Sequence, residues 1–239
     1  MLRLRLKAPF AAFRTFSAGS YRPSMPFLPP SAAYGLLMGV AGIETRYDDG
    51  KSTMTLMKSA ADLPAVRIAL GAVSEPSVQT LYQQLHNYPV GNTGQERAGD
   101  CKGAKYNIQP IRREVLVDLD AVVLLDAPDE VEEQFRRGLC GEMPHPYGLP
   151  FVGDNNLLPD VLREESSDSP TPARWWRTLR PQEFGDPEVR RSRLTVWIDR
   201  ADMTRTVANA YTLEPTPRIE PTDALAWTQL PPRPKGSAS

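Results

Sequence analysis

Residues 2–7 read Leu-Arg-Leu-Arg-Leu-Lys, an uninterrupted alternation of leucine with a basic residue. Because successive side chains of a β-strand point to opposite faces, this pattern predicts a strand whose leucines face a core and whose basic side chains face outward. The alternation ends near Pro9, and we place strand one at residues 2–8. A half-buried strand is stable only within a sheet, so further strands must follow along the chain.

A helix follows a proline-punctuated connection that spans residues 9–30. Proline is favoured in the first turn of a helix and glycine just after its end. These signals place the helix from Pro30 to about Ala41, with Gly42 ending it. Gly35 and Gly39 lie four residues apart on one side of the helix, and they predict close packing of that side against a sheet.

The middle of the chain predicts two more strands with a long excursion between them. Residues 65–70 are apolar and predict strand two, whereas residues 74–88 carry apolar side chains at helical spacing and predict a short helix. Residues 89–106 are polar and contain four glycines, which predicts an exposed, flexible excursion. Strand three follows at residues 108–125, with a break into a hairpin or a bulge near residues 118–120.

The second half of the chain is less regular. Pro128 opens a second helix whose first turns are acidic, as the helix dipole favours. Residues 164–173 are rich in Ser, Asp and Pro and predict a mobile loop. Further strands are predicted at residues 193–198 and 203–213. From Glu214 onward the pattern is lost and six prolines follow, which predicts an extended or disordered tail.

Together these elements predict an α+β fold. Their order, βαββαβ, is that of a ferredoxin-like or RRM-like sheet, here with an insertion between strands two and three and an irregular C-terminal extension. The predicted boundaries are residues 1–73 and 106–200 for the sheet domain, 74–105 for the insertion and 201–239 for the extension.

Residues 147–159 read Tyr-Gly-Leu-Pro-Phe-Val-Gly-Asp-Asn-Asn-Leu-Leu-Pro. The glycines, prolines and Asn or Asp residues exclude a regular helix or a central strand, while the apolar side chains are too many for a solvated linker. We expect a loop pinned by buried side chains, in which Gly148 and Gly153 leave the backbone bare enough for another chain to approach. A rigid crossover loop that only closes the fold fits the same residues equally well.

Charge is segregated along the chain, although the 239 residues carry a net charge of only −1. Residues 1–60 hold eight Lys or Arg against three acids, and residues 97–113 hold five against one. Residues 114–165 hold three against thirteen. Such a chain could face a polyanion with one side and basic protein partners with the other. Arginine outnumbers lysine by 22 to 6; the guanidinium grips phosphate bidentately, but a GC-rich genome also favours arginine.

Composition excludes several other classes of protein. No run approaches the roughly 18 apolar residues that a membrane-spanning helix needs. The two cysteines, Cys101 and Cys140, belong to no CxxC or Cys/His cluster, so we expect no metal and a reducing cytoplasm. We also find no phosphate-binding glycine loop and no nucleophile–base pair, and therefore expect no cofactor and no metabolic enzyme.

Three blocks of the sequence, in order, resemble one protein family. They are Leu4 to Gly42, Pro110 to Asp118 (Pro-Ile-Arg-Arg-Glu-Val-Leu-Val-Asp) and Tyr147 to Asn156. The blocks resemble the fifth-numbered family of CRISPR-associated (Cas) proteins, in a type I-B-like form. Members of that family cap the 5′ handle of the guide RNA (crRNA) in Cascade complexes. The resemblance implies an RRM-like domain with a protruding thumb at the insertion, the two together clamping the handle.

The same resemblance implies the partners. They are the crRNA 5′ handle, the backbone and large subunits of Cascade and, through the complex, target DNA. A nuclease-helicase or transposition proteins would join by way of the complex. The location implied is the prokaryotic cytoplasm.

Basic residues of the thumb and of strand three become candidates for RNA contact within this resemblance. The thumb should lay Arg97, Lys102 and Lys105 on the phosphates, although a solvated loop can carry such residues as well. Arg112 and Arg113 are neighbours on a strand, so one could face RNA while the other pairs with an acid. An exposed arginine on an edge strand is the alternative.

Candidates also lie in the first and third blocks. Arg14 and Arg22 each follow an aromatic residue, which would either stack on RNA bases or belong to the core. Asn155 and Asn156 would bind bases or form an Asx turn. The full candidate RNA-binding set is Arg14, Arg22, Arg97, Lys102, Lys105, Arg112, Arg113, Tyr147, Gly148, Gly153, Asn155 and Asn156.

Catalysis is not expected. Metal-free RNA cleavage needs a base for a 2′-hydroxyl and an acid for the leaving oxygen. The chain has two histidines, His86 and His145, and neither lies in a motif of the nuclease lineage of the family. We therefore expect a non-catalytic subunit. The alternatives are a metal-independent endoribonuclease that processes precursor crRNA and a generic RRM-like module that binds single-stranded RNA.

Overall fold

The computed structural model describes residues 1–15, 17, 20–51, 55–87, 107–145, 148–199 and 202–232, without the side chains of residues 84–87 and 107–109. Within these ranges the fold is α+β, as predicted, and consists of two α-helices and a large, mostly antiparallel sheet. The helices are α1 (Pro30–Val40) and α2 (Asp129–Leu139). The strands are β1 (Leu2–Ala11), β2 (Tyr21–Arg22), β3 (Arg46–Tyr47), β4 (Leu56–Met57), β5 (Val66–Ser74), β6 (Ser77–Asn87), β7 (Asn107–Asp126), β8 (Val161–Glu164), β9 (Arg174–Thr178), β10 (Ser192–Trp197), β11 (Val207–Leu213) and β12 (Trp227–Leu230).

The main sheet is organised around β7. Strands β5, β7, β1 and β8 lie side by side in that order, each antiparallel to its neighbour. The sheet continues beyond β5 through β9, β11 and β10. β12 pairs with the first half of β5, and β6 and β2 pair with the first half of β7. Only β2 runs parallel to its neighbour among the described pairings.

A large core lies between one face of this sheet and the two helices. The leucines of the 2–7 alternation are fully buried in it, as their pattern predicts. Each such leucine stabilises the fold by about 1.5–3 kcal/mol relative to an exposed one. Phe27 and Trp176 stack in the same core with ring centroids 5.7 Å apart. A smaller apolar cluster around Trp175 covers part of the opposite face.

The ends of the helices follow the predicted signals. Gly42 has φ +70°, its N–H donates to the Gly39 carbonyl (3.2 Å), and the Ile43 N–H donates to the Met38 carbonyl (2.9 Å). This pair of bonds is a Schellman motif, and it confirms that α1 ends at Gly42. α2 begins directly after Pro128, with three acidic residues in its first turn.

The predicted role of the glycines in α1 is wrong. A Cβ added at Gly35 or Gly39 would meet no heavy atom within 4 Å, so neither glycine is needed for close packing. The close approach occurs at Gly138 of α2 instead. A Cβ there would lie 1.8 Å from the carbonyl oxygen of Val40. The two helices thus approach each other closely at a glycine that the sequence pattern did not single out.

The short helix predicted at residues 74–88 is also wrong. Residues 77–87 form β6, which pairs antiparallel with β7 from Ser77–Val117 to Asn87–Asn107. The apolar residues Val78, Leu81 and Tyr82, spaced as on a helix, are all exposed. Backbone pairing with β7 holds this segment in an extended conformation, and it overrides the weak helical periodicity.

β7 runs without interruption for 20 residues but contains one irregularity, at Asp118, where φ is +60°. Leu116 and Leu119 both pack in the main core although they are three residues apart. In a regular strand, side chains three residues apart lie on opposite faces of the sheet. The side chains of β7 therefore change faces at Asp118. The predicted break near residues 118–120 is therefore a local irregularity within one strand and not a hairpin.

The chain from Glu214 onward was predicted to be extended or disordered, and one segment of it is an ordered part of the sheet. Ala224–Ala226 form a 3-10 turn, and β12 then pairs with β5 over Val66–Ala69. Leu230 is fully buried in the main core. The partner strand supplies this order from about 160 residues away in sequence, so local composition could not reveal it.

Candidate functional site

Strands β6, β7 and β2 form a ribbon that extends the sheet past β1. The pairing of β1 with β7 ends at Ala11–Leu116, while β6 continues along β7 to Asn107. On the other side of β7, the two residues of β2 pair in parallel with Arg112 and Arg113. These two arginines therefore lie in the middle of a local three-stranded sheet.

Three arginines converge on one face of this ribbon. Arg22 is in register with Arg113 on the neighbouring strand, so their side chains project to the same face. Burial, together with the charges of Arg14 and Arg113, lowers the pKa of the Arg22 guanidinium. The Nε of Arg22 is buried and has no hydrogen-bond partner in the described part of the chain. We call Arg14, Arg22 and Arg113 the arginine cluster; its mutual repulsion would be relieved by a bound anion.

A carboxylate from the loop after α2 reaches this cluster. Arg113 forms an ion pair with Asp154 at 2.6 Å (Nη1–Oδ2), and both side chains are largely buried. Burial raises the pKa of the Asp154 carboxyl, but the N–H of Asn156 and the guanidinium of Arg113 outweigh burial and hold the pKa below its ordinary value. The ion pair fastens the loop to β7 and neutralises one of the three cluster charges.

The backbone of residues 148–159 has a fixed, non-repetitive shape. The Val152 N–H donates to the Leu157 carbonyl (2.8 Å), and the Leu157 N–H donates to the Asp154 carbonyl (2.9 Å). The Val152 carbonyl in turn accepts the N–H of Ala12 (3.2 Å). Val152 is buried, which agrees with a pinned loop, whereas Leu149 is 65% exposed.

Gly153 is the position where the loop requires glycine. Its φ is +87°, and an added Cβ would lie 2.1 Å from the carbonyl oxygen of Ala12. The chain segment that packs closely against the backbone of Gly153 is thus the protein's own N-terminal segment, at Ala12. Gly148 also has a positive φ, +90°, but no heavy atom lies within 4 Å of its added Cβ.

The structure brings together only some of the predicted site residues. Arg14, Arg22 and Arg113 share a cluster beside Gly153, whereas Arg112 points to the opposite face of β7. Asn155 and Asn156 are exposed, and the Asx turn is made by Asp154, whose Oδ1 accepts the Asn156 N–H (3.0 Å). The remaining candidates Arg97, Lys102, Lys105 and Tyr147 lie outside the described residues.

The basic face of β1 does not contribute free charge to this site. Arg3 donates to Glu165 (2.9 Å), and Arg5, 8% exposed, donates to Asp120 (2.7 Å). Glu165 also accepts the hydroxyl of Thr171 (2.7 Å), so it fastens the loop at residues 164–173 over the strand. The pairs satisfy charges that would be costly to bury alone.

Sequence reasoning missed Tyr82. It lies on β6 directly opposite Arg112 and is 68% exposed, while Tyr21 on β2 flanks Arg112 from the other side and is 47% exposed. The signal was present as the alternation of Val78, Thr80 and Tyr82, which favours a strand. Phe13, by contrast, is buried in the core, which was the alternative for that aromatic residue.

Of the two histidines, only His145 has a described side chain, and it lies at the end of α1. The Nδ1 of His145 lies 3.2 Å from the carbonyl oxygen of Gly39, so the ring can donate to the end of α1. His86 belongs to β6, and its side chain lies outside the described atoms. Across the described ranges, no three His, Cys, Asp or Glu side chains are grouped so as to hold a metal ion. No helix in those ranges is long and apolar enough to cross a membrane.

Comparisons with known proteins point to one family. A family model described as CRISPR-associated protein (Cas_Cas5) matches residues 1–141, a range that contains the arginine cluster and ends before the loop at residues 148–159. A chain from a solved structure described as a CRISPR RNA-guided surveillance complex is similar over 90% of both chains, with a TM-score of 0.55 and 15% identity. A crystal structure of a Cas protein is similar over 89% of this chain and 93% of that one, with a TM-score of 0.47 and 16% identity. No curated protein matches the sequence.

Proposed function

The chain belongs to the CRISPR-associated Cas5 family, since the family model covers more than half of its residues. On this premise we propose that it is a non-catalytic subunit of a type I Cascade complex, of type I-B-like form. In this role it binds and caps the 5′ handle of the crRNA. The observation that carries the proposal is the arginine cluster, three guanidinium groups on one face of the ribbon beside a loop of fixed shape.

The order of the central strands and helices supports a ferredoxin-like fold for the sheet domain. β1, α1, β5, β7, α2 and β8 follow one another in the order βαββαβ, and their strands lie side by side as β5, β7, β1 and β8. Numbered from one to four, the strands lie in the order 2-3-1-4, which supports our proposal of an antiparallel ferredoxin-like sheet. We assign the strands beyond β5 to an extension of that sheet.

The ribbon of β6, β7 and β2 lies at the position in the chain where the family resemblance implies a thumb. β6 begins three residues after β5 ends, and the first half of β7 returns alongside it. We therefore propose that the thumb includes the first half of β7, which the sequence had assigned to the sheet domain. The thumb would then carry Arg112 and Arg113 on its return strand, close to the domain against which the RNA is clamped.

The proposed protein partners are the backbone and large subunits of Cascade, with target DNA and a nuclease-helicase or transposition machinery reached through the complex. The acidic stretch at residues 114–165 was expected to face such partners. Much of its charge is instead used inside the chain, because Asp120, Asp126, Asp154, Glu164 and Glu165 each form an ion pair with an arginine. Partner contacts should therefore rely less on this acidity than the charge count suggests. We place the complex in the prokaryotic cytoplasm.

Removing two charges of the cluster should weaken RNA binding. We expect the double variant Arg14→Gln/Arg22→Gln to bind a labelled repeat-derived RNA at least about 100-fold more weakly, because two charge-assisted hydrogen bonds of about 1.5–3 kcal/mol each are lost. Losing two phosphate contacts should also make the slope of log K against log salt shallower by about 1.4. Fluorescence anisotropy at several salt concentrations measures both quantities.

The matched control removes the same net charge elsewhere. Arg137 on α2 and Arg205 in the Met203–Arg205 turn are exposed and form ion pairs with local acids. Arg137→Gln/Arg205→Gln should leave affinity and slope within twofold of the natural protein. Equal losses in both double variants would show that only total charge matters, and the cluster would not be the binding site.

The protein should bind precursor crRNA without cutting it. We expect labelled repeat RNA to stay intact after prolonged incubation, both with magnesium and with a chelator, because neither His86 nor His145 lies in a motif of the family's nuclease lineage and the ring of His145 can donate to the end of α1. Denaturing gels measure the outcome. Specific cleavage in chelator that is lost in His86→Ala or His145→Ala would contradict the proposal and favour the endoribonuclease alternative.

A further inference from the structure

Tyr21, Arg112 and Tyr82 form a row across three neighbouring strands. Tyr21 of β2 and Tyr82 of β6 are each in register with Arg112 of β7, so all three side chains project to the same face. This face is opposite to that of Arg113 and the arginine cluster, because successive residues of β7 alternate. We call these three residues the tyrosine row.

The charge of Arg112 is available within the row. Glu114 is the acid two positions along β7 on the same face, but its carboxylate already accepts the Tyr21 hydroxyl and the N–H of Ser24 (2.9 Å). Arg112 is exposed and forms no ion pair with any residue that the structure describes. A cation thus stands between two exposed aromatic rings, one of which is held in place by its hydroxyl group.

The dimensions of the row suit a flat ring. Neighbouring strands lie about 4.8 Å apart, so the two tyrosines are rooted about 10 Å apart, on either side of β7. Aromatic rings stack with centroids about 4.5–7 Å apart, so one planar ring fits between them. The surface around the row forms a cleft of about 400 Å³ lined by Ser20, Tyr21, Tyr82, Pro110, Ile111 and Arg112.

We propose that the tyrosine row is a stacking site for one base of single-stranded RNA, with Tyr21 and Tyr82 against the base and Arg112 on its phosphate. The site rests on the proposed function, because it deepens how the same RNA is held. It is separate from the arginine cluster, which would hold other phosphates on the far face of β7. A groove for an apolar peptide would not place an exposed guanidinium at its centre, so RNA suits the row better than a protein segment.

The test uses the full chain and two eight-nucleotide probes, repeat-derived RNA and an abasic RNA of the same length. Tyr82→Ala should weaken binding of the base-containing RNA about 10-fold, since stacking contributes about 5- to 150-fold per base. The slope against salt should stay unchanged, because no phosphate contact is lost. Tyr82→Phe keeps the ring and should bind within twofold of the natural protein.

Two controls separate stacking from loss of structure. Val78→Ala truncates another exposed residue on the same face of β6 and should bind normally. The abasic RNA should bind Tyr82→Ala and the natural protein equally. Thermal unfolding should show that Tyr82→Ala remains folded, because the side chain it removes is mostly exposed.

The outcomes distinguish this inference from the proposed function. If Tyr82→Ala binds base-containing RNA as well as the natural protein does, while Arg14→Gln/Arg22→Gln is weakened, the stacking site is wrong and the handle-binding function stands. Loss of capture of Cascade subunits by Tyr82→Ala, with RNA binding intact, would overturn the inference in favour of a protein contact. Failure of the natural protein to bind either RNA would overturn both.

Discussion

Replacing Gly138 with alanine should destabilise the fold by about 3 kcal/mol or more. The new Cβ would lie 1.8 Å from the carbonyl oxygen of Val40 and 2.6 Å from its carbonyl carbon. Both atoms belong to the backbone of α1, so no side-chain rotation can relieve the overlap and the helices must move apart. The gain in helix propensity from glycine to alanine, at most about 1 kcal/mol, is too small to offset this cost. Urea unfolding followed by circular dichroism measures the change.

Gly39→Ala is the matched control for this prediction. Gly39 is also a glycine within a helix, but its added Cβ would meet no heavy atom within 4 Å. The substitution should therefore stabilise the protein by about 0.5–1 kcal/mol, because alanine loses less backbone entropy on folding. If Gly138→Ala were as stable as Gly39→Ala, the close contact between α1 and α2 would be wrong.

The elements that the sequence predicted well are those specified by their own residues. The alternation at residues 2–7 is sufficient to define a strand and its buried face, and Pro30 and Gly42 are sufficient to define the ends of α1. These signals act within one or two turns of chain. They need no knowledge of what packs alongside.

The elements that were missed depend on distant partners. β6 is extended because β7 pairs with it, and β12 is ordered because β5 offers it an unpaired edge. The two glycines of α1 looked like packing positions, yet Gly138 makes the contact, since only the relative placement of α1 and α2 decides where backbones meet. Such placement is a tertiary property, and neither residue type nor spacing encodes it locally.

The candidate site also combines residues that the sequence indicated with contacts that depend on distant parts of the chain. Residue type, within the blocks that resemble the family, made Arg14, Arg22 and Arg113 candidates, and the structure brings the three together. Their relation to Asp154, 41 positions beyond Arg113, depends on the path of the loop and could not be read from the sequence. The tyrosine row was missed because one of its members lies on the strand that was predicted to be a helix.

Gly153→Ala should weaken both stability and RNA binding. The residue has φ +87°, which costs a non-glycine residue about 1–2 kcal/mol, and its Cβ would lie 2.1 Å from the carbonyl oxygen of Ala12. The loop must shift to relieve this overlap, and the ion pair of Asp154 with Arg113 would shift with it. We expect a loss of about 3 kcal/mol in unfolding free energy. At a temperature where the variant is folded, repeat-derived RNA should bind about 10-fold more weakly.

Gly50→Ala separates backbone strain from displacement of the loop. Gly50 also has a positive φ, +67°, but it lies in an exposed turn, and its added Cβ would meet nothing within 4 Å. This variant should lose only the strain of about 1–2 kcal/mol and should bind RNA normally. If Gly153→Ala loses stability but retains full RNA affinity, the loop does no more than close the fold. The arginine cluster would then need no support from it, because the position of Arg113 would be fixed by the pairing of β7 with β2 and β6 alone.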